Sequence, residues 1–255
     1  MVNFFIIKTR KSITTGDDLI SAMKNLDKIV DRIEKSIDEK DKAREQALKS
    51  SRDIIIGCRK AIQCMHQNLI PDAEQHINKA YSELSSLYSI IIGNHDDLYH
   101  AGFVENAAQE VVEAKCLLNI MQGKDLPDPD EIKTTYSSYL LGLCDVVGEL
   151  RRSALDFIRE GNNQKANEYL DMMESIYDAI IRFDYPSALV PIRKKQDMIR
   201  GLMEKTRGEL AIASCERRIE HKTDEFRDML DKINGEQNKK ESKKNDVDLD
   251  IDKVW

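Results

Sequence analysis

The chain has little glycine, proline and aromatic residue for its length, with 11 Gly, 5 Pro and 6% aromatic residues among 255. β-Sandwiches and barrels need frequent turns and many β-forming positions, so this composition argues against both. Hydrophobic residues make up 41% and charged residues 33%, which allows a sizeable core and excludes disorder along the whole chain. The composition therefore predicts long helices.

Cysteine and histidine are equally scarce, with five of each. The cysteines are odd in number and lack CxxC spacing, which argues against a disulfide scaffold or a zinc framework and favours a reducing, cytoplasmic compartment. The apolar run at residues 4–7 is too short for a signal peptide or a membrane span, so we expect no membrane partner. The net charge of −7 excludes a basic coat for nucleic acid but leaves room for a local basic face.

A seven-residue hydrophobic repeat marks the N-terminal part of the chain. No glycine or proline occurs from Asp17 to Ile56. Apolar residues there recur at alternating steps of three and four, which predicts a helical seam facing another helix. We expect residues 1–44 to form a mostly helical extension with this seam. The repeat consists of Leu19, Met23, Leu26, Val30, Ile33 and Ile37.

Turn residues divide the rest of the chain into further helices. The first, either one very long helix or two in series, should end near residue 68. The second should run from 71 to just before 93, and the third from about 103 to 121, after a loop at 95–102. A capping box at residues 128–131 should start a fourth helix that continues to about 160. A fifth should follow up to about 183, and a sixth from near 188 past 221.

This pattern predicts an all-α fold, an elongated antiparallel bundle of about six or seven helices. We assign the helical domain to residues 45–235. The Lys-, Glu- and Asp-rich residues 236–255 lack a face large enough to bury, so the composition predicts a charged, disordered tail.

Two acidic pairs lie in otherwise apolar helical segments. Glu110 and Glu113 are three residues apart, and Asp145 and Glu149 are four apart, so each pair projects from one helix face. Buried carboxylates are costly unless protonation, a basic partner or a cation compensates. Four of them on neighbouring helices would suit Mg²⁺ or Mn²⁺, although the same spacing is typical of solvated acids. Gly148, between the second pair, would let another chain or a ligand approach closely.

Basic residues follow the second acidic pair. Arg152 lies seven residues after Asp145 on the same stripe, with Arg151 beside it. Acids followed by arginine suit a bound metal with a phosphate next to it, whereas the alternative is that Arg152 neutralises Glu149. The other basic clusters, at residues 59–60, 193–195 and 217–218, are typical of solvated helix faces. The histidines share no ligand spacing.

Three segments together resemble the translin family, and within it the catalytic subunits of the translin-associated factor X (Trax) type. Residues 51–66 begin with the family's S-R-D-I, residues 109–114 read Q-E-V-V-E-A, and residues 139–152 read Y-L-L-G-L-C-D-V-V-G-E-L-R-R. The resemblance covers roughly residues 45–222. The short link between the third and fourth helices is similar to that of archaeal relatives that assemble from a single kind of chain.

The resemblance implies a Mg²⁺-dependent endoribonuclease acting on single-stranded RNA, with single-stranded DNA and duplex RNA with frayed ends as further partners. It also implies a closed homo-oligomeric shell of about eight subunits. One or two Mg²⁺ ions, with Mn²⁺ as a substitute, would activate water to attack the phosphodiester. The catalytic and metal-binding residues would be Glu110, Glu113, Asp145 and Glu149. The residues expected to bind nucleic acid are Arg59, Lys60, Arg151 and Arg152.

Three other functions fit parts of the same pattern. A non-catalytic translin-like protein would bind single-stranded RNA or DNA without using the acids. An all-α nucleoside triphosphate pyrophosphohydrolase also carries an ExxE pair, but its second pair is normally ExxD, whereas this chain has DxxxE. A ferritin-like di-iron bundle needs ExxH pairs, and none coincides with these acids.

Overall fold

The computed structural model of the protein describes residues 25–248, with side chains as far as residue 233. This part of the chain forms eight helices and contains no strand, so the all-α prediction is confirmed, and two of the eight are single turns. No helix in it is both long and apolar enough to cross a membrane. The helices are α1 (Leu26–His66), α2 (Ile70–Ile91), α3 (Asp96–Tyr99), α4 (Gly102–Met121), α5 (Pro129–Ile132), α6 (Tyr136–Arg159), α7 (Asn163–Ile180) and α8 (Arg193–Asp248).

The first helix ends where the sequence predicts. Asn68 adopts a left-handed φ of 59°, and Pro71 lies in the first turn of α2, where a missing backbone N–H costs nothing. The C-terminal half of α1 buries Ile54, Cys58 and Met65, whereas its N-terminal apolar residues are exposed. The predicted seam therefore faces no described residue, and two of its members, at positions 19 and 23, lie outside the described range.

Helices α4 and α6 form the centre of the bundle. Helix α1 packs against α2 and α4, α4 packs against α6, and α6 packs against α7 and α8. Both central helices bury long apolar stripes that include Val111 and Leu117 on α4 and Val146 and Leu150 on α6. This order places the two acidic pairs on adjoining helices.

A glycine sets the distance between these two helices. A Cβ added at Gly142 would lie 2.6 Å from the backbone oxygen of Gln109 and 2.8 Å from the Cβ of Val112, so only glycine fits there. A Cβ at Gly148 would meet nothing within 4 Å. Six helical residues turn the side-chain direction by about 120° between Gly142 and Gly148, so no described residue approaches Gly148, and the approach of another chain or a ligand there stays a prediction.

The predicted fourth helix is two helices. The capping box is confirmed, since the backbone N–H of Asp130 donates to the Asp128 carboxylate at 2.8 Å and Glu131 reaches back to the Asp128 backbone N–H. The helix stops after one turn because Lys133 adopts a left-handed φ of 57°. Thr135 then caps α6, accepting from the Ser138 N–H at 3.1 Å.

The last helix is longer than the sequence predicts. Helix α8 starts at Arg193, after a proline-containing loop, and runs through Gly235 to Asp248. The helix thus continues past the predicted domain bound at 235, the disorder predicted for the tail stays a prediction, and residues 249–255 lie outside the described range. Lys, Glu and Gln are strong helix formers, and one interior glycine costs only about 1 kcal/mol, which is too little to end the helix.

Candidate functional site

The structure brings the four predicted acids together. Glu110 and Glu113 on α4 and Asp145 and Glu149 on α6 are all partly buried, and we refer to them as the acid cluster. They meet because α4 and α6 pack closely at Gly142, one turn before Asp145. The local spacing on each helix puts both members of a pair on the face that meets the other helix.

Burial and the neighbouring carboxylates change the ionisation of Glu113. Burial, followed by repulsion from Asp145, Glu110 and Glu149, raises the pKa of the Glu113 carboxyl to about 8, although Lys195 acts in the opposite direction. In the absence of another cation, Glu113 therefore holds a proton at neutral pH. The cluster has more carboxylates than its protein partners neutralise.

The raised pKa of Glu113 predicts that metal-free protein loses stability as the pH rises. Between the ordinary value of 4.5 and about 8, the folded state keeps a proton that the unfolded state has released. Glu113→Gln should abolish this loss and exceed the wild type at pH 8 by on the order of 2–4 kcal/mol, with little difference at pH 4. Urea unfolding in EDTA at both pH values measures the effect.

The surface variant Asp171→Asn serves as the control for that experiment, because Asp171 is exposed on α7, away from the cluster. Its unfolding free energy should follow the wild-type pH profile. If Glu113→Gln also followed the wild-type profile, the pKa of Glu113 would not be raised.

Asp145 has two protein partners. The Gln109 side-chain amide donates to one carboxylate oxygen, and the Lys195 ammonium donates to the other. Lys195 belongs to the first turn of α8, and its side chain is 27% exposed, so the contact is shielded from bulk water. This pair joins the last helix to the centre of the acid cluster.

The other acids also face basic groups. The Arg59 Nη2 atom donates to Glu110 Oε1 at 3.0 Å. His66 Nε2 lies 2.5 Å from Glu149 Oε2, and Arg152 Nη1 lies 3.9 Å from the same oxygen. Arg59 and Arg152 are exposed, whereas the His66 side chain is nearly buried. The arginines therefore lie at the rim and the histidine lies beneath the cluster.

A cavity of about 300 Å³ opens between these groups. Three acids and two arginines line it together with Ile62 and Gln63: Glu110, Glu113, Glu149, Arg59 and Arg152. Acidic oxygens at the base and guanidinium groups at the mouth give the cavity two zones of opposite charge. Such a cavity is suited to a phosphate group accompanied by a cation.

The donor chemistry fits a hard divalent cation such as Mg²⁺ or Mn²⁺ better than a softer metal such as Zn²⁺ or Cu²⁺, because every donor is oxygen. In the described range, however, no three His, Cys, Asp or Glu side chains are arranged to hold a metal ion. Three acids are turned toward protein partners, and the fourth holds a proton. A cation would therefore have to displace the Lys195 ammonium from Asp145 and the proton from Glu113.

Two residues predicted to bind nucleic acid lie elsewhere. Arg151 donates to Thr206 at 2.6 Å and to both carboxylate oxygens of Glu209 at 2.8 and 3.0 Å, so it fastens α8 to α6. Neighbouring helical residues point about 100° apart, and only Arg152 can face the cavity. Lys60 lines a separate cavity of about 530 Å³ between α1 and α2.

Two residues of the site, Lys195 and His66, could not be predicted from the sequence. The basic run at residues 193–195 is typical of a solvated helix face, and nothing local indicates that one lysine of this run reaches Asp145. The histidines share no ligand spacing. The only signal for His66 is its place at the end of the segment that resembles the translin family.

Comparison with known proteins gives a consistent result. The sequence model of the translin family matches residues 42–207. An uncharacterised protein of Methanocaldococcus jannaschii, MJ0175, is 31% identical over 194 residues, which cover 75% of this chain and 84% of that protein.

Solved structures show the same similarity. The crystal structure of AfC3PO is 32% identical, with a TM-score of 0.67, and covers 74% of this chain and 98% of its own. AfC3PO in complex with duplex RNA is 31% identical, with a TM-score of 0.64, covering 74% and 97%. Apo-NeC3PO, at 18% identity and a TM-score of 0.63, covers 74% and 97% and shares the fold.

Proposed function

The chain belongs to the translin family, and on that basis we propose that it binds RNA and cleaves it internally, as a Trax-type subunit, with Mg²⁺ held by the acid cluster. The observation that carries this proposal is the meeting of four carboxylates from α4 and α6 beside a cavity that three of them line together with two arginines. RNA as the substrate is supported by the similarity to AfC3PO, which has been solved with duplex RNA.

The acid cluster would hold the metal, and Mn²⁺ would suit the same oxygen donors. When bound, the cation supplies a nucleophilic water and stabilises the charge that builds on the phosphate oxygens. Arg59 and Arg152 orient the phosphate at the mouth of the cavity. His66 would hold Glu149 in place, and Lys195, which pairs with Asp145 in the metal-free protein, would give way to the cation.

The assembly expected of this function is a closed homo-oligomeric shell of about eight subunits. Its interior would collect RNA on a local basic face, which removes the conflict with the net charge of −7. Single-stranded RNA is the proposed substrate, and single-stranded DNA and duplex RNA with frayed ends are further partners.

A second candidate is a non-catalytic RNA-binding protein of the same family. The ion pairs of the site favour it, because Arg59, His66 and Lys195 each pair with one of the acids and leave three of the four carboxylates less free to bind a cation. In such a protein the acid cluster would tie α1, α4, α6 and α8 together, and Arg152 would bind RNA without turnover.

End-labelled single-stranded RNA, incubated with Mg²⁺ or with EDTA, tests the proposal. We expect internal cleavage only with Mg²⁺, leaving 5′-phosphate and 3′-hydroxyl ends, because water rather than the 2′-hydroxyl attacks. Binding without cleavage would establish the second candidate. Cyclic phosphate ends would overturn the mechanism. Hydrolysis of a deoxynucleoside triphosphate in a parallel reaction, with RNA left intact, would favour the pyrophosphohydrolase.

A further inference from the structure

Helix α1 exposes an apolar stripe before the part of the chain that matches the translin family at residues 42–207. Its side chains are 44–60% exposed, and no described residue covers them. The steps between them are four, three and four, so they form one narrow line along the helix. We define this N-terminal stripe as Leu26, Val30, Ile33 and Ile37.

Helix α8 exposes a second stripe after the matched residues. Its four members are seven residues apart and 53–63% exposed, and Met229 and Leu230 extend it to one side. A strict seven-residue repeat keeps the same face toward a partner helix when two helices wrap around each other. We define this C-terminal stripe as Ile212, Ile219, Phe226 and Ile233.

We infer that the N-terminal stripe of one copy of this chain packs on the C-terminal stripe of a second copy, forming a two-helix coiled coil between subunits. Both stripes are exposed in one chain, so neither covers the other within it. Contiguous apolar surface of this length on a soluble helix marks an interaction site. The inference does not depend on nuclease activity.

The N-terminal stripe has an acidic edge, and two basic side chains line the groove on the C-terminal stripe, which Glu216 and Glu225 also flank. Asp27, Glu34 and Asp41 are seven residues apart and form one acidic edge along the N-terminal stripe. Arg218 and Lys222, together with Ile219, Thr223 and Phe226, line an open groove of about 660 Å³ on the C-terminal stripe. When the acidic edge packs along a groove lined by basic side chains, the complementary charge speeds association and fixes how the two helices align.

The same charges disfavour one orientation of self-pairing for each stripe. Lys222 lies between Ile219 and Phe226 in the seam, so a parallel pair of C-terminal stripes would bring two lysines together. An antiparallel pair of N-terminal stripes would align two acidic edges. Lys222 forms an ion pair with Glu225, and its side chain is 72% exposed. Surface ion pairs are weak, so Lys222 can exchange Glu225 for an acidic partner on the second chain.

The lengths of the stripes are compatible with this pairing. At 1.5 Å per residue, the N-terminal stripe spans about 17 Å and the C-terminal stripe about 32 Å, so the first fits within the second. Each copy offers both stripes, and the contact is therefore head-to-tail. Such a contact closes into a ring when the rotation between neighbouring copies allows it.

Cys215 allows a direct test, because it is exposed and lies in the seam between Ile212 and Ile219. Full-length chains carrying Cys215→Ser with either Val30→Cys or Ile37→Cys are mixed with affinity-tagged wild type and oxidised with copper-phenanthroline. At least one should give a disulfide-linked heterodimer at about tenfold the yield of the matched control, Lys35→Cys with Cys215→Ser, on a non-reducing gel. Lys35 lies off the stripe on the same helix.

Three outcomes would overturn the inference. The first is that neither Val30→Cys nor Ile37→Cys gives more heterodimer than the control. The second is that wild-type chains alone form a disulfide between two Cys215 residues, and the third is that Val30→Cys in a chain that keeps Cys215 forms a disulfide within that chain.

Charge reversal tests the pairing of the two stripes. Changing Arg218 and Lys222 to glutamate should lower the heterodimer yield several-fold, and changing Asp27 and Glu34 to lysine on the partner should restore it. Lack of restoration would contradict the charge pairing. These residues are exposed, so the fold should tolerate the changes, and circular dichroism checks this.

Discussion

Replacing Asp145 with asparagine should lower Mg²⁺-dependent RNA cleavage by at least about 100-fold and leave RNA binding in EDTA nearly unchanged. The amide has the same shape as the carboxylate but no charge, so it is a poor ligand for a divalent cation. Asp145 is the informative position because its charge contributes the largest of the repulsions that raise the pKa of Glu113. The measurement is the rate of cleavage of labelled RNA under single-turnover conditions.

A matched change on the surface controls for a general effect of lost charge. Asp171→Asn removes an exposed acid from α7. Its rate of RNA cleavage should be within twofold of the wild-type rate, because substitutions at remote surface sites have small effects. If Asp145→Asn cleaved RNA as fast as Asp171→Asn, the acid cluster would have no part in the reaction. Loss of binding and cleavage together would instead point to a structural role for the pair with Lys195.

Gly142→Ala should destabilise the protein by about 2 kcal/mol or more, although alanine normally favours a helix over glycine by about 1 kcal/mol. The added methyl group would meet the Gln109 backbone oxygen at 2.6 Å and the Val112 side chain at 2.8 Å. Neither is the end of a flexible side chain, so α4 and α6 would have to move apart. Because the acid cluster spans this contact, cleavage should fall as well.

Gly148→Ala is the matched control, since it lies on the same helix and its new methyl group would meet nothing within 4 Å. It should leave the free energy of unfolding unchanged or raise it by up to about 1 kcal/mol. Chemical unfolding of both variants measures the difference. Equal stabilities would show that α4 and α6 do not depend on the absence of a side chain at Gly142.

Several helix boundaries could be predicted because local residues determine them. Pro71 in the first turn of α2 and Gly161, with its positive φ of 75°, before α7 both lie where the sequence indicates a boundary. The break between α5 and α6 could not be predicted, because it depends on Lys133 in a left-handed conformation that lysine seldom adopts. The helical continuation beyond Gly235 could not be predicted, because this segment has no apolar face to bury and its helix depends on the helix preference of Lys, Glu and Gln alone.

The acid pairs could also be predicted, since residues three or four apart share a helix face wherever the helix packs. The partners of the acids could not. Lys195 is 50 residues from Asp145, and His66 is 83 residues from Glu149, so only the packing of α1, α6 and α8 brings them together. Adjacent Arg151 and Arg152 look equivalent in sequence, and the helix directs one to Glu209 and the other to the cavity.

Helix α8 carries Lys195 near its start and the C-terminal stripe further along, without interruption between them. Along a continuous helix each inserted residue turns everything beyond it by about 100°, whereas seven residues return it to within about 20°. The angular phase between the lysine and the stripe is thus set by the number of intervening residues. Insertions and deletions in this stretch should be tolerated in multiples of seven and selected against otherwise.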